Sequence, residues 1–145
     1  MPHHHQKRVL PYTPKQMFDL VADVSKYPEF LPWCVGTRIN SRKENSFNAD
    51  VLIGYKAIRE TFTSTVTLTP YQAIDVRYER GPFSKLQNYW TFAEHPTGCE
   101  IEFFIDFEFR SKMLSGLIEV FFSEAVRRMI DAFEQRARTQ YPHKN

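Results

Sequence analysis

The sequence predicts an α+β fold in which a curved antiparallel sheet of about six to seven strands closes on one long C-terminal helix. Three observations carry that expectation. Apolar residues alternate with a period of two through the middle of the chain, most plainly in CEIEFFIDFEFR at residues 99–110. Short connections built from Pro, Gly and Thr separate these alternating segments, as antiparallel hairpins require. From Ser111 onward the period becomes helical and stays so to about Gln140.

Each element follows from its residues. HHHQKRVL, residues 3–10, opens as a short strand. Thr13 followed by Pro14 supplies an N-cap and a proline at the first helical position. Met17, Phe18, Leu20, Val21 and Val24 then hold helical spacing, so a short helix is expected over 14–24. Ser25 caps a briefer second turn that Pro28 helps start and Pro32 ends. Strands follow on Phe47, Ala49, Val51, Ile53 and Tyr55, then on Phe62, Val66 and Leu68 with Ser64 between them. Ile74, Val76 and Tyr78 mark the next, and Leu86, Trp90 and Phe92 the one after. In the last strand Cys99, Ile101, Phe103, Ile105, Phe107 and Phe109 share the dry face. Glu100, Glu102, Asp106, Glu108 and Arg110 share the wet one, with Phe104 as its lone apolar member. Thr69-Pro70, Gly81-Pro82 and Pro96-Thr97-Gly98 make the turns. Ser111 caps one continuous helix of roughly 45 Å. Its stripe runs through Leu114, Leu117, Ile118, Phe121, Phe122, Ala125, Met129, Ile130 and Phe133.

The 145 residues fit one domain, 1–145, that buries about 68–70% of the surface of its unfolded chain. Nineteen basic and 17 acidic residues are spread along the chain, for a net charge of +2, which argues against DNA as a partner. Cys34 and Cys99 lie far apart and the N-terminus holds no apolar signal segment, so the expected setting is a reducing cytoplasm with both thiols free. No run of 18 or more apolar residues exists to span a bilayer. Thirteen Phe and seven Tyr exceed the usual needs of a core this size, so some are expected to line a ligand space. A strongly twisted sheet curls, and a single helix laid in its concave face does not fill it.

Catalysis finds little support. His3, His4 and His5 are adjacent, and neighbours in a strand point to opposite faces, which makes a poor metal cage. His95 sits in a turn and His143 in the tail. Glu100, Glu102, Asp106 and Glu108 belong to the wet face. Cys34 has no adjacent base or helix N-terminus to activate it. No catalytic residue and no metal ligand are assigned.

Apolar binding fits better, since each methylene withdrawn from water contributes about 0.8 kcal/mol. The expected ligand wall comprises Phe62, Ser64 and Val66 from one strand and Val76 and Tyr78 from the next. Trp90, then Phe103, Ile105 and Phe107, extend it across the sheet. Leu117, Phe121 and Met129 close it from the helix. Ser64, Asn88 and the Tyr78 hydroxyl are candidate hydrogen-bond partners for a head-group carbonyl. YPEFLPWC, residues 27–34, is expected to expose or half-bury Phe30, Leu31 and Trp33 in a proline-stiffened loop at one end of the tunnel. GPFSKL presents Phe83 in a second loop of the same kind. Together they are candidate entrance loops that touch a bilayer surface, with Lys26 and Lys85 near anionic head groups.

KRVLPYTPKQMFDLVADVSKYPEFLPWC, GPFSKLQNYWTF and FIDFEFRSKMLSGLIEVFFSEAVRRMIDAFEQRA resemble the coenzyme Q-binding family of START-related domains, within the polyketide cyclase and lipid-transport superfamily. The resemblance spans Lys7 to Ala137. It implies a helix-grip fold of the START/Bet v 1 kind, with the sheet gripping the C-terminal helix around a tunnel. It also implies non-enzymatic binding or chaperoning of a polyprenyl quinone, with ubiquinone as ligand rather than cofactor, in support of respiratory electron transport. A cytoplasmic protein, peripheral at the inner membrane, is the corresponding location. Bacterial members of the same family are also described as toxins that bind the large ribosomal subunit and block subunit association. That alternative would place Arg127, Arg128, Arg136 and Arg138 on rRNA phosphates, with a steep salt dependence. A polyketide cyclase ranks last, because the dry faces carry no His or acid.

Overall fold

A computed structural model describes residues 3–141, except for the side chains of residues 113–115, 117 and 118. Leu114, Leu117 and Ile118 of the expected helix stripe, and His143, therefore lie outside the described residues. The chain runs β1 (His3–Leu10), α1 (Pro14–Ala22), a 3-10 turn (Val24–Glu29), then β2 (Cys34–Arg42) and β3 (Ser46–Tyr55). It continues through β4 (Ile58–Thr69), β5 (Ala73–Arg80), β6 (Phe83–His95) and β7 (Gly98–Phe109) to α2 (Lys112–Arg127) and α3 (Met129–Gln140). All seven strands join one antiparallel sheet in the order β1-β7-β6-β5-β4-β3-β2. β2 to β7 are thus a simple meander, and β1 returns to pair with its last strand, Leu10 opposite Cys99. α1 and the 3-10 turn carry the chain between the two edges of the sheet.

Local chemistry sets these boundaries. At the start of α1 the Thr13 hydroxyl accepts from the Gln16 N–H at 3.1 Å, while Gln16 Oε1 accepts from the Thr13 N–H at 2.9 Å. This capping box adds Gln16 to the expected Thr13-Pro14 start. The helix ends at Ala22 rather than residue 24. The Ser25 hydroxyl donates to the Asp23 carboxylate instead of capping the following turn, and Pro28 lies inside that turn. Gly81 connects β5 to β6 at a φ of +147°, where a Cβ would stand 2.6 Å from that of Phe62. Only glycine suits that turn.

Two elements differ from the sequence expectation. β2 is an additional strand, whose alternation is broken by register shifts between Cys34 and Gly36 and between Ile39 and Ser41. It is also an edge strand with mostly exposed residues, so it carries little periodic signal. The C-terminal helix is not continuous: Arg128, at φ −98° and ψ 11°, separates α2 from α3. Its N–H is shared between the carbonyls of Glu124 and Ala125, each at 3.2 Å. The adjoining Arg127 carbonyl accepts from Gln6 Nε2 of β1 at 2.9 Å. A side chain of the opposite layer thus takes up a carbonyl at the break.

The core lies between the concave face of the sheet and the helices. Phe83, Phe103, Phe107 and Phe133 are its largest fully buried side chains. β7 alternates buried and half-buried residues over its whole length, as a strand with one dry face must. On the outer face Phe104 stacks on Tyr89 with ring centroids 5.2 Å apart, which accounts for the apolar residue on the wet side.

Candidate functional site

A cavity of about 90 Å³ lies where sheet and helices part. Its floor is the dry face of five consecutive strands, because period-two spacing brings every second side chain to the same side. β3 contributes Ala49 and Val51, and β4 contributes Phe62, Ser64 and Val66. Ile74 and Val76 come from β5, while Leu86, Asn88 and Trp90 come from β6. Phe103 and Ile105 of β7 complete the floor. Val21, Val24, Tyr27 and Trp33 close one side, and Phe122, Met129 and Phe133 of α2 and α3 form the roof.

Of the residues expected in the wall, Phe62, Ser64, Val66 and Val76 line the cavity. So do Trp90, Phe103, Ile105 and Met129. Three others lie elsewhere. The Tyr78 hydroxyl donates to the Phe83 carbonyl at 3.0 Å and accepts from the Phe83 N–H at 3.1 Å, so it staples the β5–β6 turn. Phe107 is fully buried against Phe122, ring centroids 4.9 Å apart, beneath the core rather than beside the space. Phe121 stacks on Tyr55 at 4.4 Å, on another side of α2. The side chain of Leu117 lies outside the described residues.

The entrance-loop expectation is corrected. Phe83 is 0% exposed, because as the first residue of β6 it points into the core among Phe62, Phe107, Phe109 and Phe122. Leu31 and Trp33 are also buried, at 2% and 5% exposed. Phe30 alone of the four is half-buried. It packs on Phe133 at 5.1 Å, with the Arg136 guanidinium 5.1 Å from its ring. YPEFLPWC folds back on itself: the Leu31 N–H donates to the Tyr27 carbonyl at 2.9 Å and the Cys34 N–H to the Leu31 carbonyl at 3.0 Å. The Tyr27 hydroxyl donates to the carbonyl of Val21. The segment is a plug on one end of the cavity and not an exposed anchor. Lys85 is paired with Asp106 at 2.8 Å, and Lys26 lies 3.7 Å from Glu29.

Val21, Val24 and Tyr27 also belong to the wall, which the sequence expectation confines to the sheet and the last helix. Helical spacing marks Val21 and Val24 as buried, but no local pattern shows on which side of the sheet α1 and the 3-10 turn land. Ala49 and Val51 alternate visibly in the sequence, and Phe122 and Phe133 fall on the expected helix stripe. In each case periodicity shows the buried face without showing where packing stops.

The cavity is apolar and uncharged. Among the described residues no Asp, Glu, Lys, Arg or His lines it. Asn88 Nδ2 donates to the Phe104 carbonyl at 2.8 Å. Ser64 Oγ and Trp33 Nε1 are buried without a hydrogen-bond partner among the described residues. Burial pushes the thiol of Cys34 up to about 11 and that of Cys99 likewise to about 11, so both remain protonated at neutral pH. The carboxyl of Glu102 is held below its ordinary range chiefly by its hydrogen bond with His5, outside the cavity. Among the described residues no group of three or more His, Cys, Asp or Glu is placed to hold a metal ion. No described helix is long and apolar enough to cross a membrane.

A seven-stranded antiparallel sheet laid against the C-terminal helices, with an apolar hollow between them, is a helix-grip fold. The chain belongs to the polyketide cyclase / dehydrase and lipid transport family, whose model matches residues 10–134. It is 41% identical over 135 residues to the ribosome association toxin RatA of Rickettsia prowazekii, covering 90% of this chain and 92% of that one. It is 34% identical to the mitochondrial coenzyme Q-binding protein COQ10 homolog B of Xenopus laevis, covering 91% of this chain and 56% of the relative. The solution structure of an 18 kDa protein from Caulobacter crescentus superposes with a TM-score of 0.77 at 35% identity, covering 99% of this chain and 100% of that one.

Proposed function

We propose that the protein binds a neutral apolar ligand, a polyprenyl quinone or a lipid of similar character, in this cavity without transforming it. The observation that carries the proposal is the composition of the wall: many apolar and aromatic side chains, three polar ones, and no charge. Such a wall gains from withdrawing hydrocarbon from water and offers no counter-charge to an ionised group. The similarity to a protein named for coenzyme Q binding supports the same ligand class. Absence of an acid, a base or a reactive thiolate in the wall supports binding over catalysis.

Cavity size sets a condition on this function. An engineered apolar cavity of about 150 Å³ holds one benzene ring. The present 90 Å³ is smaller. A polyprenyl chain is therefore admitted only when the walls part, and the described state is the closed one. Lipid extraction of protein purified from its native cell, followed by mass spectrometry, tests the function. A quinone recovered in near-stoichiometric amount supports it. An empty protein that also takes up no quinone from vesicles overturns it.

A second reading is association with the ribosome through its large subunit; similarity to proteins named ribosome association toxins, along nearly their whole lengths, favours the ribosome as partner. The four arginines that this reading would place on rRNA are engaged within the chain. Arg127 and Arg128 pair with Glu124, Arg138 with Glu134, and Arg136 with Glu29. Cosedimentation with large subunits over a salt series separates the two, because phosphate contacts weaken steeply as salt rises.

A further inference from the structure

The outer face of the sheet is electrically divided. On β7 it presents Glu100, Glu102, Asp106 and Glu108, opposed by Lys7 of β1 and Lys85 of β6. Across β2 to β5 and the tip of the β3–β4 hairpin the balance reverses. Arg38, Lys56, Arg59, Arg77 and Arg80, all exposed, stand there against Asp50, Asp75 and Glu79. Glu60 is opposite the core residue Ile53 and belongs to the other face.

Strand register gathers part of this charge in one row. Arg38 of β2 is opposite Asp50 of β3, Asp50 opposite Thr63 of β4, and Thr63 opposite Arg80 of β5. Three strand spacings of about 4.8 Å set the two arginines roughly 14 Å apart at the backbone, with Asp50 between them. Asp50 is already satisfied. Its carboxylate accepts from the Thr63 hydroxyl at 2.5 Å and from Asn40 Nδ2 at 3.0 Å. It is held below its ordinary range chiefly by the Thr63 bond, with the Asn40 bond and the charges of Arg80 and Arg38 adding to it. Among the described residues of β2 to β5 the only ion pair is Arg77 with Glu79, at 3.4 Å. Arg59 donates through Nη1 to the carbonyls of Lys56 at 2.6 Å and Ile58 at 2.9 Å, which fixes its guanidinium at the hairpin tip without neutralising it. The helix arginines differ: all four are paired with carboxylates.

Spaced, uncompensated guanidinium groups on a hydrogen-bonding face suit a phosphate backbone. The arginine fork meets phosphate oxygens through two parallel N–H bonds, and hydroxyls such as that of exposed Thr61 add neutral donors. A bilayer is a poorer occupant, because Asn40, Asn48, Thr61 and Thr65 lie among the cations where an inserting surface needs apolar side chains. We infer that the outer face of β2 to β5, centred on Arg38, Arg59 and Arg80, binds phosphates of ribosomal RNA, while the acidic half on β7 is turned from the nucleic acid. This surface rests on the ribosomal reading above and moves the contact from the helices to the sheet. The apolar hollow lies on the opposite face, so its ligand and RNA do not compete for one surface.

Cosedimentation of the full chain with purified large subunits, from about 50 to about 200 mM salt at fixed magnesium, tests the assignment. Wild-type binding should weaken steeply with salt. Arg38→Gln and Arg80→Gln should each weaken it by roughly threefold to tenfold at low salt and lower the slope of log K against log salt by about one. Lys7→Gln on the acidic half and Arg127→Gln on α2 remove the same charge and should leave affinity and slope at wild-type values. Thermal unfolding midpoints matching the wild type keep a fold defect apart from a lost contact. Wild-type affinity and slope in the folded Arg38→Gln/Arg80→Gln protein overturn the inference while ribosome association stands. Salt-independent wild-type binding also overturns it, since the contact is then with ribosomal protein. Absence of wild-type binding removes the ribosomal reading itself.

Discussion

At the scale of single residues, the chain spends its special chemistry on closing turns and lining a hollow rather than on reactive groups. Gly81 shows how local this control is. Its φ of +147° and the nearness of Phe62 leave no room for a side chain, with a new Cβ 2.6 Å from the Phe62 Cβ and 2.8 Å from its Cα. Gly81→Ala should destabilise the fold by roughly 1–3 kcal/mol in urea titration. A loss below about 0.5 kcal/mol would show that the turn relaxes at little cost. The neighbouring Phe83 marks a limit of sequence reading. Following Gly-Pro, it has the look of a loop residue, but pairing of Phe83 with Phe109 begins β6 there and turns the ring inward. Trp33 and Leu31 mislead in the same way. Two prolines imply a stiff exposed loop, whereas the backbone folds back and buries both side chains.

At the scale of elements, β1 and the α2–α3 junction are coupled through alternate residues of one strand face. His4 lies near Arg127, Gln6 donates to the Arg127 carbonyl, and Arg8 pairs with Asp131. Burial, then the charge of Arg127, then that of His3, hold the His4 imidazole below its ordinary value of 6.5. The unfolded chain therefore binds the proton more readily, and His4 supports stability above its ordinary value. That support is lost as pH falls through the depressed folded value. Thermal unfolding between about pH 7 and about pH 5 should show a steeper acid loss in the wild type than in His4→Gln. Parallel curves would contradict the coupling.

The plug and α3 form the other junction of this kind. Arg136 bonds Glu29 at 2.7 Å and covers Phe30, while Phe133 beneath it lines the cavity. If these elements separate when ligand enters, Arg136→Ala should raise the rate of quinone uptake in stopped-flow fluorescence by a few-fold, because an ion pair and a cation–π contact are lost together. An unchanged rate would place the opening elsewhere.

At the scale of the whole molecule, the sheet was the most legible feature, because dry-face alternation in β3 to β7 reports directly on burial. β2 was hidden because an exposed edge strand with two register shifts has no face to alternate. The break at Arg128 leaves no local signal, and the group that takes up the Arg127 carbonyl there, Gln6, lies more than a hundred residues away in sequence. Much of the cavity wall could be named from strand period and the helix stripe. The rest, from α1 and the plug, depended on how the chain crosses the sheet, which no local pattern encodes. The same distinction separates Phe107 from Phe103: both alternate inward on β7, but Phe107 meets Phe122 where the layers touch, while Phe103 faces the space where they diverge.

The most direct test of the account is an NMR measurement of nuclear Overhauser contacts between a bound short-chain quinone and the methyl-labelled protein. Contacts from the quinone ring to Val66, Ile105 and Met129, with a shifted Trp33 indole resonance, are the predicted result. Contacts confined to the outer face around Tyr89 and Phe104, or no contacts under saturating quinone, would contradict a ligand held between the sheet and its helices.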